Sequence, residues 1–243
     1  MELSIVIPCY NEEDNIKKLL KIFKENYKKE LNYEVIFVDN GSTDLTFKIL
    51  EDEIKNYKNF KIIKLKQNQG YGGGIIAGIQ EAKGDILSWT HADIQTNPID
   101  ILKMYFENKK LFLNKKILIK GRRKNRSKID LIFTKMMSIF VFFFLNIKLD
   151  DINAQPKIFP KILARNLNDG PKNFLLDLYI LIQSKINNFE IISIENNLYK
   201  RNANKPKGGG SIYGKLKLSI STMKYILLNR KLIKNGNYNS SDK

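Results

Sequence analysis

The sequence predicts an α/β protein built on a mostly parallel, twisted sheet flanked by helices. Over the first hundred residues, short runs rich in Ile and Val alternate with longer segments whose apolar residues recur every three to four positions. The short runs are typical of buried strands, and the longer segments are typical of amphipathic helices. Because strands that alternate with helices pair in parallel, we expect helices on both faces of one sheet.

Four strands and two clear helices account for this alternation. Apolar residues recur with helical spacing from Ile16 to Phe23 and again from Phe47 to Ile54. Asp44 lies just before the second of these segments, in a region where helices are commonly capped. The predicted strands are residues 3–8, 33–39, 60–65 and 85–89.

Beyond Pro98 the alternation is less regular, but further elements can be predicted. They are helices over residues 99–112 and 170–186, the latter with Pro171 near its start, strands over residues 115–120 and 189–196, a basic loop over residues 121–128 and a flexible segment over residues 205–211. Neither a repeat nor a linker divides the chain. We therefore expect a single domain over residues 1–211, with halves 1–98 and 99–211, followed by a basic amphipathic helix and a frayed tail over residues 212–243.

The composition limits the classes of protein that fit. A length of 243 residues suits one domain, and a hydrophobic content of 43% argues against disorder. The formal net charge of +17 indicates either an anionic partner or surface, or a Lys-rich composition without a specific role. Cys9 is the single cysteine, so an intramolecular disulfide and a cysteine metal cluster are excluded. We expect Cys9 to be a small buried residue at the end of a strand.

Two features of the sequence bear on where the protein is located: its N-terminus and its longest apolar stretch. No basic segment precedes the first apolar run, so we expect no signal peptide and a cytoplasmic protein. Residues 136–145 are apolar and are flanked by Lys135 and Lys148. This stretch is too short to cross a bilayer, which takes about 20 residues. We expect it to pack in the core or to lie in a membrane interface.

Unusual polar residues follow each of the first four predicted strands. Ligands of parallel sheets bind at the carboxyl ends of the strands, so these segments predict a binding site at one edge of the sheet. The glycine-rich segment either permits a tight bend or lets backbone amides approach a phosphate. It is neither a P-loop nor the dinucleotide fingerprint. The segments are PCYNEE at residues 8–13, VDNGSTD at 38–44, NQGYGGG at 68–74 and HADIQ at 91–95.

His91, Asp93 and Gln95 occupy alternate positions after an apolar run. On extended chain such residues point to the same side, so they could face one small volume. The set is a poor zinc site, because zinc prefers three or four nitrogen or sulfur ligands. Oxygen ligands completed by phosphates suit Mg²⁺ or Mn²⁺ instead. A nucleoside diphosphate would supply those phosphates.

Taken together, these motifs resemble glycosyltransferase family 2, whose members are inverting enzymes with the GT-A fold. Within the family, the resemblance is greatest to the branch of the dolichyl-phosphate and polyprenyl-phosphate mannose synthases. It is strong over the first hundred residues and looser over residues 121–211. The resemblance implies a Rossmann-like nucleotide-binding half followed by an acceptor half.

The resemblance also implies roles in donor binding. HADIQ stands where the family has its Asp-x-Asp motif, with Asp93 at the second position, Gln95 at the trailing glutamine and His91 in place of the first carboxylate. These three residues are the implied ligands of Mg²⁺ or Mn²⁺. Asp39 is implied to bind the nucleobase. The remaining residues implied for the donor site are Pro8, Tyr10, Glu12, Val38, Gly70, Gly73 and Ala92.

The implied catalytic and acceptor residues lie further along the chain. Arg123 and Arg126 resemble arginines that contact the donor phosphates or an acceptor phosphate. Asp151 stands in a segment that resembles an acceptor loop, and Asp177 matches an acidic helix position. Arg201 and Ser211 resemble the ends of a final Arg-x-x-Gly-x-Ser segment with expanded spacing. Asp93 completes this implied catalytic set.

The function implied is transfer of a sugar from a UDP- or GDP-sugar to a polyprenyl phosphate at the cytoplasmic face of a bacterial membrane, for the synthesis of cell-surface glycans. One alternative is transfer to a hydroxyl of a lipid-linked glycan, which would need Asp151 or Asp177 as general base. Another is a nucleotide-sugar-binding protein that has lost catalysis because of His91. A nucleic acid partner is not expected, since the sequence shows no recognisable reading module.

Basic residues around the apolar stretch predict contact with an anionic membrane surface. Each Lys or Arg near such a surface contributes about 1 kcal/mol. The Lys-rich helix predicted after residue 211 would add to this contact. The sequence is also compatible with a homo-oligomer. The basic residues concerned are Arg122, Arg123, Lys124, Arg126, Lys128 and Lys135.

Overall fold

The structure of the chain is a computed structural model that describes residues 1–26, 31–114, 116–199 and 212–234. Within these ranges the chain forms one sheet, flanked by helices. The strands are β1 (Leu3–Cys9), β2 (Tyr33–Asp39), β3 (Phe60–Lys64), β4 (Ile86–Trp89), β5 (Ile117–Lys124), β6 (Lys157–Pro160) and β7 (Glu190–Asn197). The helices are α1 (Glu13–Glu25), α2 (Thr46–Ile54), α3 (Gly70–Gln80), α4 (Asp100–Asn108), α5 (Leu111–Asn114), α6 (Lys128–Leu145), α7 (Leu176–Ile186) and α8 (Ile212–Lys234), and Lys161–Asp169 is 3₁₀-helical.

The seven described strands lie in the order β3-β2-β1-β4-β6-β5-β7. Strand β6 runs antiparallel to its neighbours β4 and β5, and the other pairs are parallel. The predicted α/β class with a mostly parallel sheet is therefore confirmed. Both halves of the chain contribute to this one sheet, so the carboxyl ends of β1, β2 and β4 lie near the segments that follow β5.

Side chains of the central strands alternate between two apolar cores, one on each face of the sheet. In β1, Leu3, Ile5 and Ile7 face the core formed with α1, α2 and α4. Val6 faces the opposite core, which contains α3, α6, α7 and α8. Cys9 is fully buried at the end of β1, as expected.

Three predicted boundaries in the second half were wrong. Residues 121–124 extend β5 and pair with β7 instead of opening a loop. Gly121 permits this because a Cβ there would lie 2.0 Å from the carbonyl oxygen of Gln155. The helix predicted over 99–112 is interrupted after Asn108. The helix predicted from residue 170 begins at Leu176, since residues 171–173 pack as a loop against the glycines of α3.

The apolar stretch 136–145 belongs to the long helix α6, which Ser127 caps by accepting a hydrogen bond from the Asp130 amide at 3.1 Å. Val141 and Leu145 are buried in the core, whereas Phe143 is 78% exposed. The expectation of core packing therefore holds for one side of the helix, and the other side is exposed. Helix α8 packs along α6. None of the described helices is long and apolar enough to span a membrane. The predicted flexible segment 205–211 and the tail after residue 234 lie outside the described residues.

Candidate active site

A cavity of about 720 Å³ opens at the carboxyl ends of the central strands. It brings together most of the residues singled out from the sequence. Those lining it are Pro8, Tyr10, Glu12, Gly70, His91, Ala92, Asp93, Gln95, Arg123, Arg126 and Asp177. The cavity has a strand end, lined by Pro8, Tyr10, Asn40, Asn68 and Gly70, and a helix end, lined by Phe133, Thr134, Met137, Lys215, Leu218 and Thr222.

Four of the proposed site residues that the structure describes do not line this cavity. Val38 packs in the core against Gly78, and Gly73 lies in the first turns of α3. Asp39 is buried at the end of β2. Asp151 lies behind the cavity wall, bonded to two arginines that do line it. Arg201, like Ser211, lies outside the described residues.

Asp39 has one satisfied and one unsatisfied carboxylate oxygen. Its Oδ1 accepts a hydrogen bond from the Ser42 amide at 3.2 Å, whereas its Oδ2 is buried and has no hydrogen-bond partner in the described residues. A buried acceptor without a donor is costly, so a ligand that supplies an N–H group would be favoured there. The next residue, Asn40, bonds the Gly70 carbonyl and the Gln69 amide and so ties β2 to the glycine-rich segment.

The glycines of α3 allow a close approach of two backbone segments. A Cβ on Gly70 would lie 2.4 Å from the Lys172 carbonyl oxygen, and a Cβ on Gly72 would lie 2.2 Å from that of Pro171. Gly70 also has a φ of +79°, which an L side chain rarely adopts. The Gly73 amide donates to Lys172 at 3.1 Å. These contacts show close packing of two backbone segments, a role distinct from the tight bend and the phosphate contact considered from the sequence.

A strained turn presents the carboxylate of Asp93. Ile94 has a φ of +57°, an unfavourable value for a buried β-branched residue, and such strain often marks functional turns. The Gln95 amide donates to Asp93 Oδ1 at 3.1 Å, which fixes the carboxylate over the turn. The turn therefore holds Asp93 and Gln95 beside the cavity even though the chain has left the extended conformation assumed from the sequence.

His91 is held by aromatic stacking. The ring of Tyr71 lies between the rings of His91 and Phe174, with centroid separations of 5.0 and 4.7 Å. The Tyr71 hydroxyl accepts a hydrogen bond from Gln155 and donates to Asp177. Burial, together with the charge of Asp177, raises the pKa of Tyr71 well above its usual value, so the hydroxyl keeps its proton. The imidazole is thus fixed in orientation at the cavity wall.

The residues around HADIQ fit a divalent ion that shares its ligands with a diphosphate. Within the described ranges, no group of three or more His, Cys, Asp or Glu residues forms a complete metal site. Asp93, His91 and Gln95 offer one carboxylate, one imidazole and one amide oxygen beside the cavity. Phosphate oxygens would complete such a shell, and an imidazole ligand favours Mn²⁺ over Mg²⁺.

Asp177 is enclosed by hydrogen-bond donors. Its Oδ1 accepts from Lys157 at 2.7 Å, Gln155 at 2.9 Å and Trp89 at 3.2 Å. The side chains of Lys157 and Asp177 are 0% and 1% exposed. Burial lowers the pKa of Lys157, and the charge of Asp177 opposes that effect. The Oδ1 atom of this carboxylate is therefore occupied by three structural donors.

Asp151 likewise forms ion pairs with cationic side chains. Arg123 donates to it through Nε at 3.1 Å and through a shorter Nη2 contact, and Arg126 Nη1 donates at 3.0 Å. Burial acts to raise the pKa of Asp151, but the hydrogen bonds and charge of Arg123, aided by Arg126, lower it overall. One carboxylate thus serves two guanidinium groups, which leaves an excess positive charge at the cavity wall.

Comparison with known proteins identifies the first half of the chain. Residues 4–110 match the model of glycosyl transferase family 2. These residues therefore form a glycosyl transferase family 2 domain. The family 2 segment contains β1 to β4, the residues of the strand end of the cavity and the HADIQ turn.

Two curated relatives are similar to this part of the chain. It is 36% identical over 112 residues to the undecaprenyl-phosphate 4-deoxy-4-formamido-L-arabinose transferase of Pseudomonas fluorescens, covering 45% of this chain and 33% of the relative. It is 34% identical over 104 residues to the dolichol-phosphate mannosyltransferase of Pyrococcus furiosus, covering 43% of this chain and 29% of the relative. The matched part therefore spans about a third of either relative.

The structural match covers more of the chain. The glucosyl-3-phosphoglycerate synthase of Mycobacterium tuberculosis, solved with Mn²⁺, UDP and glucosyl-3-phosphoglycerate, superposes with a TM-score of 0.68 at 16% identity. The match covers 94% of this chain and 79% of that one. The predicted GT-A fold is confirmed by this likeness.

Several residues that line the cavity or support its side chains were missed from the sequence. Tyr71, Gln155 and Lys157 form the support of Asp177, and Lys215 reaches the cavity from α8. A signal existed for Lys157, because a lysine that begins a short apolar strand, KIFP, calls for a counter-charge if it is buried. Lys215 gave no such signal, since lysines recur throughout the segment around it.

Proposed function

We propose that the protein is an inverting glycosyltransferase that moves a sugar from a UDP- or GDP-sugar onto a polyprenyl phosphate. The observation that carries this proposal is that both candidate general bases bind cations. Asp177 is bonded to Lys157, and Asp151 is bonded to Arg123 and Arg126. A hydroxyl acceptor needs a base to remove its proton, whereas an ionised phosphate does not. The two curated relatives described above are also named for transfer involving polyprenyl phosphates.

The transfer reaction needs neither a proton donor nor a proton acceptor. An oxygen of the lipid phosphate forms a bond to the anomeric carbon of the sugar, on the face opposite the leaving group. The bond from that carbon to the β-phosphate oxygen of the donor breaks, and its electron pair leaves with the nucleoside diphosphate. A single displacement of this kind inverts the anomeric configuration.

The strand end of the cavity would bind the nucleoside. In this proposal Asp39 Oδ2, which lacks a partner in the described residues, accepts a hydrogen bond from the nucleobase. Pro8, Tyr10 and Glu12 contact the nucleoside at the end of β1. The unoccupied acceptor on Asp39 suits the N–H groups of uracil and of guanine alike, so both donors are proposed.

The HADIQ turn would hold the donor diphosphate. His91, Asp93 and Gln95 would bind Mg²⁺ or Mn²⁺, which neutralises charge on a leaving diphosphate. Arg123 lines the same cavity and adds a fixed positive charge near the phosphates. Because the stacking of Tyr71 and the strained Ile94 fix these side chains, little reorganisation is needed when the donor binds.

The exposed side of α6 would attach the protein to the membrane that contains the acceptor. Ile132, Met136, Ile139 and Phe143 recur with helical spacing and are each more than half exposed. We call these four residues the α6 stripe. An apolar stripe beside the basic residues that precede it suits peripheral binding to an anionic leaflet. We propose the inner face of the cell membrane, where a nucleotide sugar and a polyprenyl phosphate could meet for the synthesis of surface glycans.

The first experiment is thermal unfolding with UDP or GDP, each with and without Mn²⁺, on the wild type and on Asp93→Ala. We expect stabilisation by one nucleotide that depends on the metal and is lost in Asp93→Ala. Asp52→Ala, which removes an exposed carboxylate from α2, should behave like the wild type.

Transfer of labelled sugar to polyprenyl phosphate in detergent then tests the reaction. We expect Asp93→Ala to reduce turnover at least about 100-fold. Nucleotide binding without transfer to any acceptor would favour a degenerate nucleotide-sugar-binding protein, for which the stacked His91 is the motivating observation. Transfer to a glycan hydroxyl but not to the lipid phosphate would favour the glycan-acceptor alternative. Absence of any nucleotide effect would contradict the donor site.

A further inference from the structure

The helix end of the cavity differs in chemistry from its strand end. Phe133 and Met137 of α6 and Leu218 of α8 give it apolar walls. Arg126, Asp130 and Lys215 lie at the same end and give it charge. A cavity with a charged group of side chains beside an apolar cleft fits an amphiphile that has an ionic head and a hydrocarbon tail.

Arg126 and Lys215 meet at Asp130. Lys215 Nζ lies 2.6 Å from Asp130 Oδ1, and Arg126 Nη2 donates to the Asp130 carbonyl at 3.1 Å. Since Asp151 is shared between Arg123 and Arg126, three cations face two carboxylates at this wall of the cavity. The group carries an excess positive charge and is suited to an anion.

One donor in this group, Arg126 Nε, has no hydrogen-bond partner within the described residues. The side chain of Arg126 is 7% exposed, and its Nε is buried without a hydrogen-bond partner in the described residues. Burial lowers the pKa of this guanidinium without removing its charge. A buried, charged N–H group that lacks an acceptor is costly, and an anionic oxygen is the acceptor that satisfies it best.

We propose that Arg126 and Lys215 bind the phosphate of the polyprenyl acceptor and that its first isoprene units lie between α6 and α8. This inference rests on the proposed function and adds a binding role for Lys215, which the C-terminal helix supplies. The tail would pass between Met137 and Leu218 toward the α6 stripe. Binding the phosphate would transfer Lys215 from Asp130 to the ligand, so Asp130 competes with the acceptor.

The test compares three variants in the transfer assay with undecaprenyl phosphate in detergent micelles. Lys215→Ala should raise the KM for the lipid phosphate about 10- to 100-fold, with kcat and the KM for the nucleotide sugar little changed. Lys217→Ala removes the same charge from an exposed position two residues away and should leave the KM at its wild-type value. Lys215→Arg should recover most of the affinity.

Asp130→Asn separates acceptor binding from a structural role. It breaks the same ion pair as Lys215→Ala but retains a polar group beside Ser127. If Lys215 binds the phosphate, Asp130→Asn lowers the KM or leaves it unchanged, because a competing carboxylate is gone. If the ion pair merely fastens α8 to α6, both variants raise the KM alike, and the proposal is overturned.

Binding measurements without the nucleotide sugar separate the contribution of the lipid's phosphate head from that of its hydrocarbon tail. The wild type should bind undecaprenyl phosphate more tightly than undecaprenol, and inorganic phosphate weakly, and Lys215→Ala should reduce only the preference for the phosphorylated lipid. Equal affinities of Lys215→Ala and Lys217→Ala for undecaprenyl phosphate would overturn the inference while transfer by the wild type still supported the proposed function. A wild type without transfer to the lipid phosphate would contradict the proposed function itself.

Discussion

The two ends of the cavity are built in different ways. The strand end consists of residues that directly follow strands, such as Tyr10 after β1 and Asn40 after β2. The helix end is assembled from segments far apart in the chain, as the contact between Asp130 and Lys215 shows. A strand end positions its polar residues through the sheet itself, whereas the helix end depends on ion pairs between separate helices. The first kind of site is fixed with the fold, and the second can be altered one contact at a time.

The largest expected effect on stability is at Asp177, which lies between the two ends of the cavity. Asp177→Ala leaves the buried ammonium of Lys157 without its counter-charge, so we expect the free energy of unfolding to fall by about 3–5 kcal/mol. Urea unfolding measures the change. The double variant Lys157→Met with Asp177→Asn should recover most of the loss, because no charge is then left unpaired.

The double variant also separates structure from catalysis. If Asp177 were a general base, the double variant would be stable but would lose transfer by orders of magnitude. We expect it to keep measurable transfer to the lipid phosphate. A stable single variant would show that Asp177 does not support the fold. A double variant no more stable than the single one would show that the unpaired charge of Lys157 is not the cause of the loss.

Prediction from the sequence succeeded where local patterns carry the information. The alternation of apolar runs predicted β1 to β4 almost to the residue, and the polar segments after them predicted the strand end of the cavity. These features depend on hydrophobic periodicity and on the position of a residue relative to its own strand. Neither needs knowledge of distant contacts.

Prediction was weaker where a residue's role depends on distant partners. The extension of β5 through Lys124 follows from a close approach of Gly121 to Gln155, which no local pattern indicates. The sequence makes Asp151 a candidate base, but its partners Arg123 and Arg126 precede it by more than twenty residues. The sequence does not indicate with which oppositely charged residue a given charged residue forms an ion pair.

The next effect in size concerns the α6 stripe. Ile139→Glu and Phe143→Glu replace exposed apolar side chains, so the fold should remain stable while binding to anionic vesicles weakens about tenfold for each change. Co-sedimentation with vesicles containing anionic lipid measures this. Stabilisation by nucleotide should be unchanged, because the strand end is not affected.

A matched control lies on the other face of the sheet. Leu113 on α5 is 72% exposed, and its neighbours in α5 pack against the opposite core. Leu113→Glu adds the same negative charge without altering the stripe and should leave vesicle binding nearly unchanged. Equal losses in all three variants would mean that net charge governs binding and that the stripe has no special role.

The smallest expected effect is the dependence of stability on pH. It can be compared for two buried carboxylates, one from each half of the chain. Burial acts to raise the pKa of Glu34, but hydrogen bonds from Lys61, Ser4 and the Lys83 amide lower it overall. The pKa of Asp151 is lowered through Arg123, as described above. A carboxylate whose pKa is lower in the folded state stabilises the fold above its unfolded pKa of about 4, and this stabilisation is lost as the pH falls through the folded value.

Glu34→Gln and Asp151→Asn should therefore each be less stable than the wild type at pH 7, and the difference should shrink below about pH 4. Urea unfolding between pH 3 and pH 7 measures both. The two variants should differ in function, because only Asp151 orients the arginines at the cavity wall: Asp151→Asn should weaken binding of polyprenyl phosphate, and Glu34→Gln should not. If Glu34→Gln impaired acceptor binding equally, the two regions would be coupled through the sheet, and the helix end would be no more independent than the strand end.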